Sequence, residues 1–224
     1  MHRPFNLLKL KCGSAFGAVA LLLCANLTAY AQRTALSFET PTSHIYAVTH
    51  RTGLLSFLGH EHVITAPSWT SDVCLDRSAG DSFARFVIDA RALIIDADSS
   101  RRLAGLGGGP SPSQRQQIQT KMLDAAHLNV AEFPEMRFET VSVNGDKTAL
   151  RVEGRLTIRG VTQVVAFPAS LEENQGGVTL AAKITFKQSA FGIKPESIGG
   201  VVKVADPVDL HIRLVATETT GACR

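Results

Sequence analysis

The chain has 224 residues, with 45% hydrophobic and 19% charged residues and a formal net charge of +3. Three of its 23 Lys and Arg residues (Arg3, Lys9, Lys11) and none of its 20 Asp and Glu residues precede Gln32, so residues 32–224 carry 20 of each sign and are neutral. A neutral chain of this length suits one domain and lacks the broad basic field that would hold nucleic acid or an anionic membrane.

Residues 1–31 read as an export signal. A basic stretch from Met1 to Lys11 is followed by an apolar run from Ala15 to Ala25, and Ala29-Tyr30-Ala31 is a small-x-small cleavage site. The apolar run is shorter than the roughly 20 residues of a transmembrane helix. The rival reading is a lipid anchor on Cys24, but Leu23 stands where a small residue belongs. The mature chain, residues 32–224, is therefore expected to be a single domain that is periplasmic or secreted. Two of the four cysteines leave with the signal. Cys74 and Cys223 remain, and they either form a disulfide or stand as two separate thiols.

Beyond the signal the dominant period is two, which predicts half-buried strands. Strands are expected near 44–51, 54–58, 60–65, 68–75 and 82–89. Leu103 to Gly109 is glycine-rich and reads as a flexible surface loop near an opening; no Lys-Ser/Thr follows to make it a phosphate loop. Ser111-Pro112-Ser113-Gln114 then reads as a cap, a proline at the first helical position and a capping-box glutamine. Ile118, Met122, Ala125 and Ala126 form a stripe, predicting one amphipathic helix of about four turns that ends near Leu128-Asn129. A strand near 137–143 leads to Asn144-Gly145, a hairpin signal. Leu150, Val152, Leu156 and Ile158 alternate with Arg151, Glu153, Arg155 and Thr157. After Arg159-Gly160 come strands near 163–170 and, past a turn at Asn174 to Gly177, near 179–187. The last are near 201–204 and 209–214. One-face-apolar strands joined by short turns make an antiparallel sheet, and so many strands close or fold over to protect their edges.

Three segments in order resemble the YceI-like family. They are Asp124 to Glu139, with Phe133-Pro134 between a helix and a strand carrying Phe138; Gly154-Arg155-Leu156-Thr157-Ile158-Arg159-Gly160-Val161-Thr162; and Ser189-Ala190-Phe191-Gly192-Ile193. The resemblance covers roughly residues 36–217. It implies a mainly β fold, a lipocalin-like antiparallel barrel with one helix, and an elongated apolar cavity that takes a polyisoprenoid or another long-chain lipid. It implies no catalytic activity and no cofactor. The chain departs from the family pattern at Leu58-Gly59-His60-Glu61-His62-Val63.

His60 and His62 are two apart and would share a face of a strand. They are the candidate polar end of a ligand site. Alternatively they begin a metal site, with His44, His50 or Glu61 as further donors, in a metal- or haem-associated redox accessory protein. His211 reads as a solvent-facing strand residue and His127 as the basic end of the helix. No nucleophile elbow is present, and Asp89, Asp96 and Asp98 read as solvated loop acids. Phe57, Phe86, Phe138, Phe167, Phe186 and Phe191 lie on or beside predicted strands, and with Met122 they either fill a core or line a cavity. The functional expectation is a non-enzymatic binding protein for a hydrophobic small molecule or lipid, without stable membrane insertion.

Overall fold

Alternation of apolar and polar side chains becomes twelve strands, all paired antiparallel, in a computed structural model that describes residues 33–39, 42–76, 80–174, 177–219 and 223. The expected signal peptide, with its expected cleavage site at Ala29-Tyr30-Ala31, and Cys24 lie outside the described residues. The described elements are β1 (Thr34–Phe38), β2 (His44–Thr52), β3 (His62–Thr65), β4 (Trp69–Leu75), β5 (Phe83–Asp89), β6 (Ile94–Ile95), α1 (Asp98–Leu103), α2 (Pro112–Leu123), β7 (Glu135–Asp146), β8 (Ala149–Ile158), β9 (Val161–Asn174), β10 (Gly177–Lys187), β11 (Ser197–Ile198) and β12 (Val202–Thr219).

Eight of the strands close a ring in the order β1-β4-β5-β7-β8-β9-β10-β12, and β12 pairs back onto β1. Closure satisfies strand edges that an open sheet would leave bare. The long β12 serves two partners on one edge: residues 203–213 pair with β2 and residues 216–219 with β1. From β2 the sheet continues through β3 to β6 at the end of the barrel that carries α2. The predicted mainly β antiparallel barrel is the observed architecture.

Several local expectations need correction. Residues 54–58 are not a strand. Leu55 leads into a 3-10 turn at Ser56–Leu58, closed by Ser56 N donating to Gly53 O and Gly59 N to Ser56 O. The next strand starts at His62, so His60 and His62 do not both sit on it. The Asn144-Gly145 hairpin exists, but Asp146 pairs with Ala149, so Lys147-Thr148 forms its turn and Asn144-Gly145 stays in the ladder. The expected strands at 201–204 and 209–214 are parts of β12, bulged between Val204 and Val208.

The helix begins as expected. Ser111 Oγ accepts from Gln114 N and Gln114 Oε1 accepts from Ser111 N, with Pro112 in the first turn. It stops at Leu123, earlier than expected, because the Asp124 carboxylate takes the Ala126 and His127 amides and turns the chain. Ala125 and Ala126 therefore lie beyond it and are exposed. A second short helix, α1, packs against β3.

Cys74, on β4, and Cys223 are joined in a disulfide with their Cα atoms 5.8 Å apart, at a sequence separation of 149. Cross-linking so long a loop restricts the unfolded chain. Cys223→Ser is expected to lower unfolding free energy by about 2–4 kcal/mol, read from the urea midpoint. An unchanged midpoint would show that the bond contributes no stability.

Candidate functional site

Inward positions of the strands carry the large apolar residues: Leu150, Val152, Leu156 and Ile158 on β8, Leu210, Ile212 and Leu214 on β12. In a packed barrel such residues lose all contact with solvent. Here Phe86, Phe138, Leu180, Ala182, Leu210 and Ile212 are only partly buried, although they face the interior. They bound a cavity of about 1330 Å³. That exceeds the roughly 300–1,000 Å³ of pockets for drug-sized molecules. Small side chains make the room. Ala169 and Ala182 are partners across β9 and β10, and Ala47 and Ala84 also line the space. Gly154 makes room on the neighbouring β8, where the Phe138 ring crosses it so closely that a Cβ there would lie 2.4 Å from Phe138 Cζ.

Of the sequence-predicted residues, Phe86, Phe138, Phe167 and Phe186 line the cavity, and Met122 does so from α2. Phe138 and Phe167 meet with ring centres 5.8 Å apart. Phe191 does not line it. It is 1% exposed, packed with Leu156, Ile158 and Ile193 and set edge-on to Phe186. Phe57 does not line it either, and stands 68% exposed on the loop between β2 and β3. His60 and His62 both line the cavity at the α2 end, where exposed residues His60, Gln114, Gln117, Lys121 and Lys203 form a mouth.

His62 is held from behind. Its Nδ1 donates to Asp96 Oδ2 at 2.6 Å. Asp96 is fully buried, and its Oδ1 accepts from Val63 N at 3.1 Å and Arg101 Nη1 at 2.7 Å. Burial pushes the Asp96 carboxyl up, but the bonds from His62, Val63 and Arg101 outweigh it and hold the group below its ordinary value. Asp96 is thus an anion that only accepts, which places a proton of His62 on Nδ1. The other ring nitrogen, Nε2, has no partner among the described residues, and His62 lines the cavity.

Arg101 also holds the glycine-rich loop, which lies at the surface as expected. Its guanidinium donates to Gly107 O, Gly108 O and Glu61 O, so Leu103 to Gly109 is wrapped around a buried side chain. Sequence reasoning placed Asp96 among solvated loop acids and did not single out Arg101. A carboxylate at a backbone φ of 52° just after a two-residue strand leaves no periodic signal to find it by.

The remaining histidines disperse. His50 faces outward, with Nδ1 3.1 Å from Glu61 Oε1 and Nε2 3.2 Å from Asp209 Oδ2. The Glu61 carboxylate, opposed by partial burial and helped by Asp209, holds its pKa above 6.5. His211 stacks on Tyr46 at 5.0 Å, and burial with Lys183 nearby pushes its pKa down. His127 lies past the end of α2 and bridges Asp124 at 3.1 Å and Glu196 at 3.2 Å, so it does not cap the helix. His44, His50 and Glu61 do not join His60 and His62, and among the described residues no three His, Cys, Asp or Glu side chains are grouped as a metal ion would require.

Asp209 yields a pH expectation. A bond from Thr185, against burial and with Lys183 and His50 adding, lowers its pKa from 3.8 to about 2. The native state then binds fewer protons than the unfolded chain between those values. Its contribution to stability is complete above pH 3.8 and is lost as pH falls through about 2. Asp209→Asn should flatten acid unfolding in that window, and a variant with the wild-type acid profile would contradict the assignment.

The three segments that resemble the family meet at the mouth end. Arg159, between β8 and β9, donates from Nη2 to Ala125 O at 3.0 Å and from Nη1 to Gly192 O, joining the first segment to the third through the second. Gly160, at φ 72°, sits so close under Phe133 that a Cβ would lie 2.6 Å from the ring.

The YceI-like domain model matches residues 42–216. Among solved structures the chain is similar to BcnA of Burkholderia cenocepacia, at 20% identity and a TM-score of 0.61, over 81% of this chain and 100% of that one. It is also similar to the YCEI protein of Campylobacter jejuni, at 14% identity and a TM-score of 0.52, over 70% of this chain and 85% of that one. At these identities the likeness is one of fold. No curated protein matches the chain. The matched span, the closed barrel and the three segments tied by Arg159 agree: this chain belongs to the YceI-like family.

Proposed function

We propose that this protein is a carrier that holds a long-chain apolar ligand, a polyisoprenoid or a similar lipid, in its barrel, outside the cytoplasm after loss of residues 1–31. The observation that carries the reading is the set of inward-facing aromatic and aliphatic side chains left partly exposed around a cavity of about 1330 Å³. Each methylene moved from water into such a space contributes about 0.8 kcal/mol, so a long chain binds tightly with few polar contacts. The polar end of the ligand lies at His60 and His62. With its Nδ1 hydrogen committed to Asp96, His62 presents Nε2 to a polar head group such as a hydroxyl or amide.

Among the described residues no helix is long and apolar enough to cross a membrane. Protein purified from its host should carry a lipid, seen by native mass spectrometry as an adduct that organic extraction removes and identifies. A protein that is empty as isolated and takes up no isoprenoid or fatty-alcohol probe would refute the proposal.

A further inference from the structure

Two loops at the mouth end form one apolar ridge. The loop between β2 and β3 carries Leu54 at 91% exposure and Phe57 at 68%, with Leu55 also exposed. The turn between β11 and β12 carries exposed Val201. Leu55 N donates to Val201 O at 3.1 Å, and a Cβ on Gly53 would lie 2.5 Å from that same oxygen, so the two loops are packed as a unit. The ridge borders the cavity: Gly59, His60, Val202 and Lys203, within a few residues of its tips, line the mouth.

Cations flank it. Arg51 and Lys203 come from adjacent positions of β2 and β12, and neither is in an ion pair among the described residues. Arg51 spends one hydrogen bond on Gly59 O. The nearby carboxylates are already engaged, Glu61 with His50 and Glu196 with Lys121 and His127. Residues 32–224 are neutral as a whole, which excludes a broad basic field but not this local pair.

We propose that this ridge docks the mouth of the barrel onto an anionic phospholipid bilayer, so that ligand passes between bilayer and cavity without crossing water. The inference rests on the carrier reading. Exposed leucine and phenylalanine tips rimmed by cations are the chemistry of interfacial binding, in which apolar side chains enter the acyl boundary and cations meet anionic head groups. A second copy of the chain fits less well, because pairing two ridges brings four unpaired cations together.

The test uses protein purified from its host and co-sedimentation with vesicles of phosphatidylcholine and phosphatidylglycerol (about 7:3) against phosphatidylcholine alone. Wild-type protein is expected to partition onto both, and more strongly onto the anionic vesicles, with the difference fading at high salt. Leu54→Ser/Phe57→Ser should lower partitioning about tenfold or more while leaving uptake of a fatty-alcohol probe from solution unchanged, because neither residue lines the cavity. Arg51→Gln/Lys203→Gln should reduce the preference for anionic vesicles and not the binding to neutral ones. No vesicle binding by wild-type protein, undiminished binding by the serine variant, or a wild-type dimer that the serine variant dissociates would overturn the docking proposal. Probe uptake by a protein that ignores vesicles would overturn docking alone, whereas vesicle binding without any probe uptake would overturn the carrier reading instead.

Discussion

Replacing Ala182 with tryptophan is expected to cost the protein its long-chain ligand while leaving the barrel folded. Ala182 faces inward from the middle of β10 opposite Ala169, where two small side chains leave the wall thin. An indole at this position occupies space that the ligand would fill. Displacing three methylenes removes about 2.4 kcal/mol of binding, roughly a fiftyfold loss of affinity. The same substitution discriminates between the two readings of the interior. In a packed core, added volume forces off-rotamer side chains and costs about 1–3 kcal/mol. Beside an open cavity the tryptophan gains contacts, and thermal stability should hold or rise. Affinity by calorimetry and midpoint by thermal melting, on the same variant, separate the outcomes: weakened binding with unchanged or higher stability is the expected pair.

Asp96→Ala should produce the largest loss of stability of any single substitution considered. Asp96 is completely buried and serves His62, Val63 and Arg101 at once. Its removal leaves the buried Arg101 guanidinium without its counter-charge, a situation that costs about 3–5 kcal/mol. It also places alanine at a φ of 52°, a backbone region that asparagine and aspartate tolerate better. Asp96→Asn keeps the backbone preference and an acceptor oxygen while removing the charge, so it should fall between wild type and alanine. His62→Ala leaves the Asp96–Arg101 pair intact and should cost less than either. Urea denaturation of the three variants checks the order. A loss below about 1 kcal/mol for Asp96→Ala would mean that the network does not hold this end of the barrel together.

What was legible in the sequence was mostly periodic. Alternation along 150–158, 179–187 and 209–214 announced strands because one face meets the apolar interior and the other meets water. The capping box at Ser111 to Gln114 announced a helix because its hydrogen bonds are local. Strand pairs of two residues, such as Ile94–Ile95 and Ser197–Ile198, have no period to read. The end of α2 was missed because Asp124 competes for backbone amides through its side chain, which outweighs the apolar stripe continuing to Ala126.

The site divided along the same line. Phe86, Phe138, Phe167 and Phe186 line the cavity because they fall on inward positions of strands. Phe57 and Phe191 show that an aromatic beside a strand need not face the cavity: one is on a loop tip and the other is sealed in a packed cluster. His60 and His62 both reach the mouth, though not from one strand, and the group that orients His62 comes from 34 residues away. The acids nearest in sequence went elsewhere, with Glu61 turned outward to His50. Contacts of that separation carry no signature in one sequence. Whether the interior is filled or hollow was equally hidden, since it depends on how small residues such as Ala169 and Ala182 come to lie side by side on one wall.

The central claim is that the interior holds a chain. Its most direct test is isothermal calorimetry of the delipidated protein with a homologous series of straight-chain alcohols. Affinity should rise about fourfold for each added methylene, following roughly 0.8 kcal/mol per group, until the cavity is full, and then level off. Affinity that stays flat with chain length, or no binding at any length, would contradict the claim.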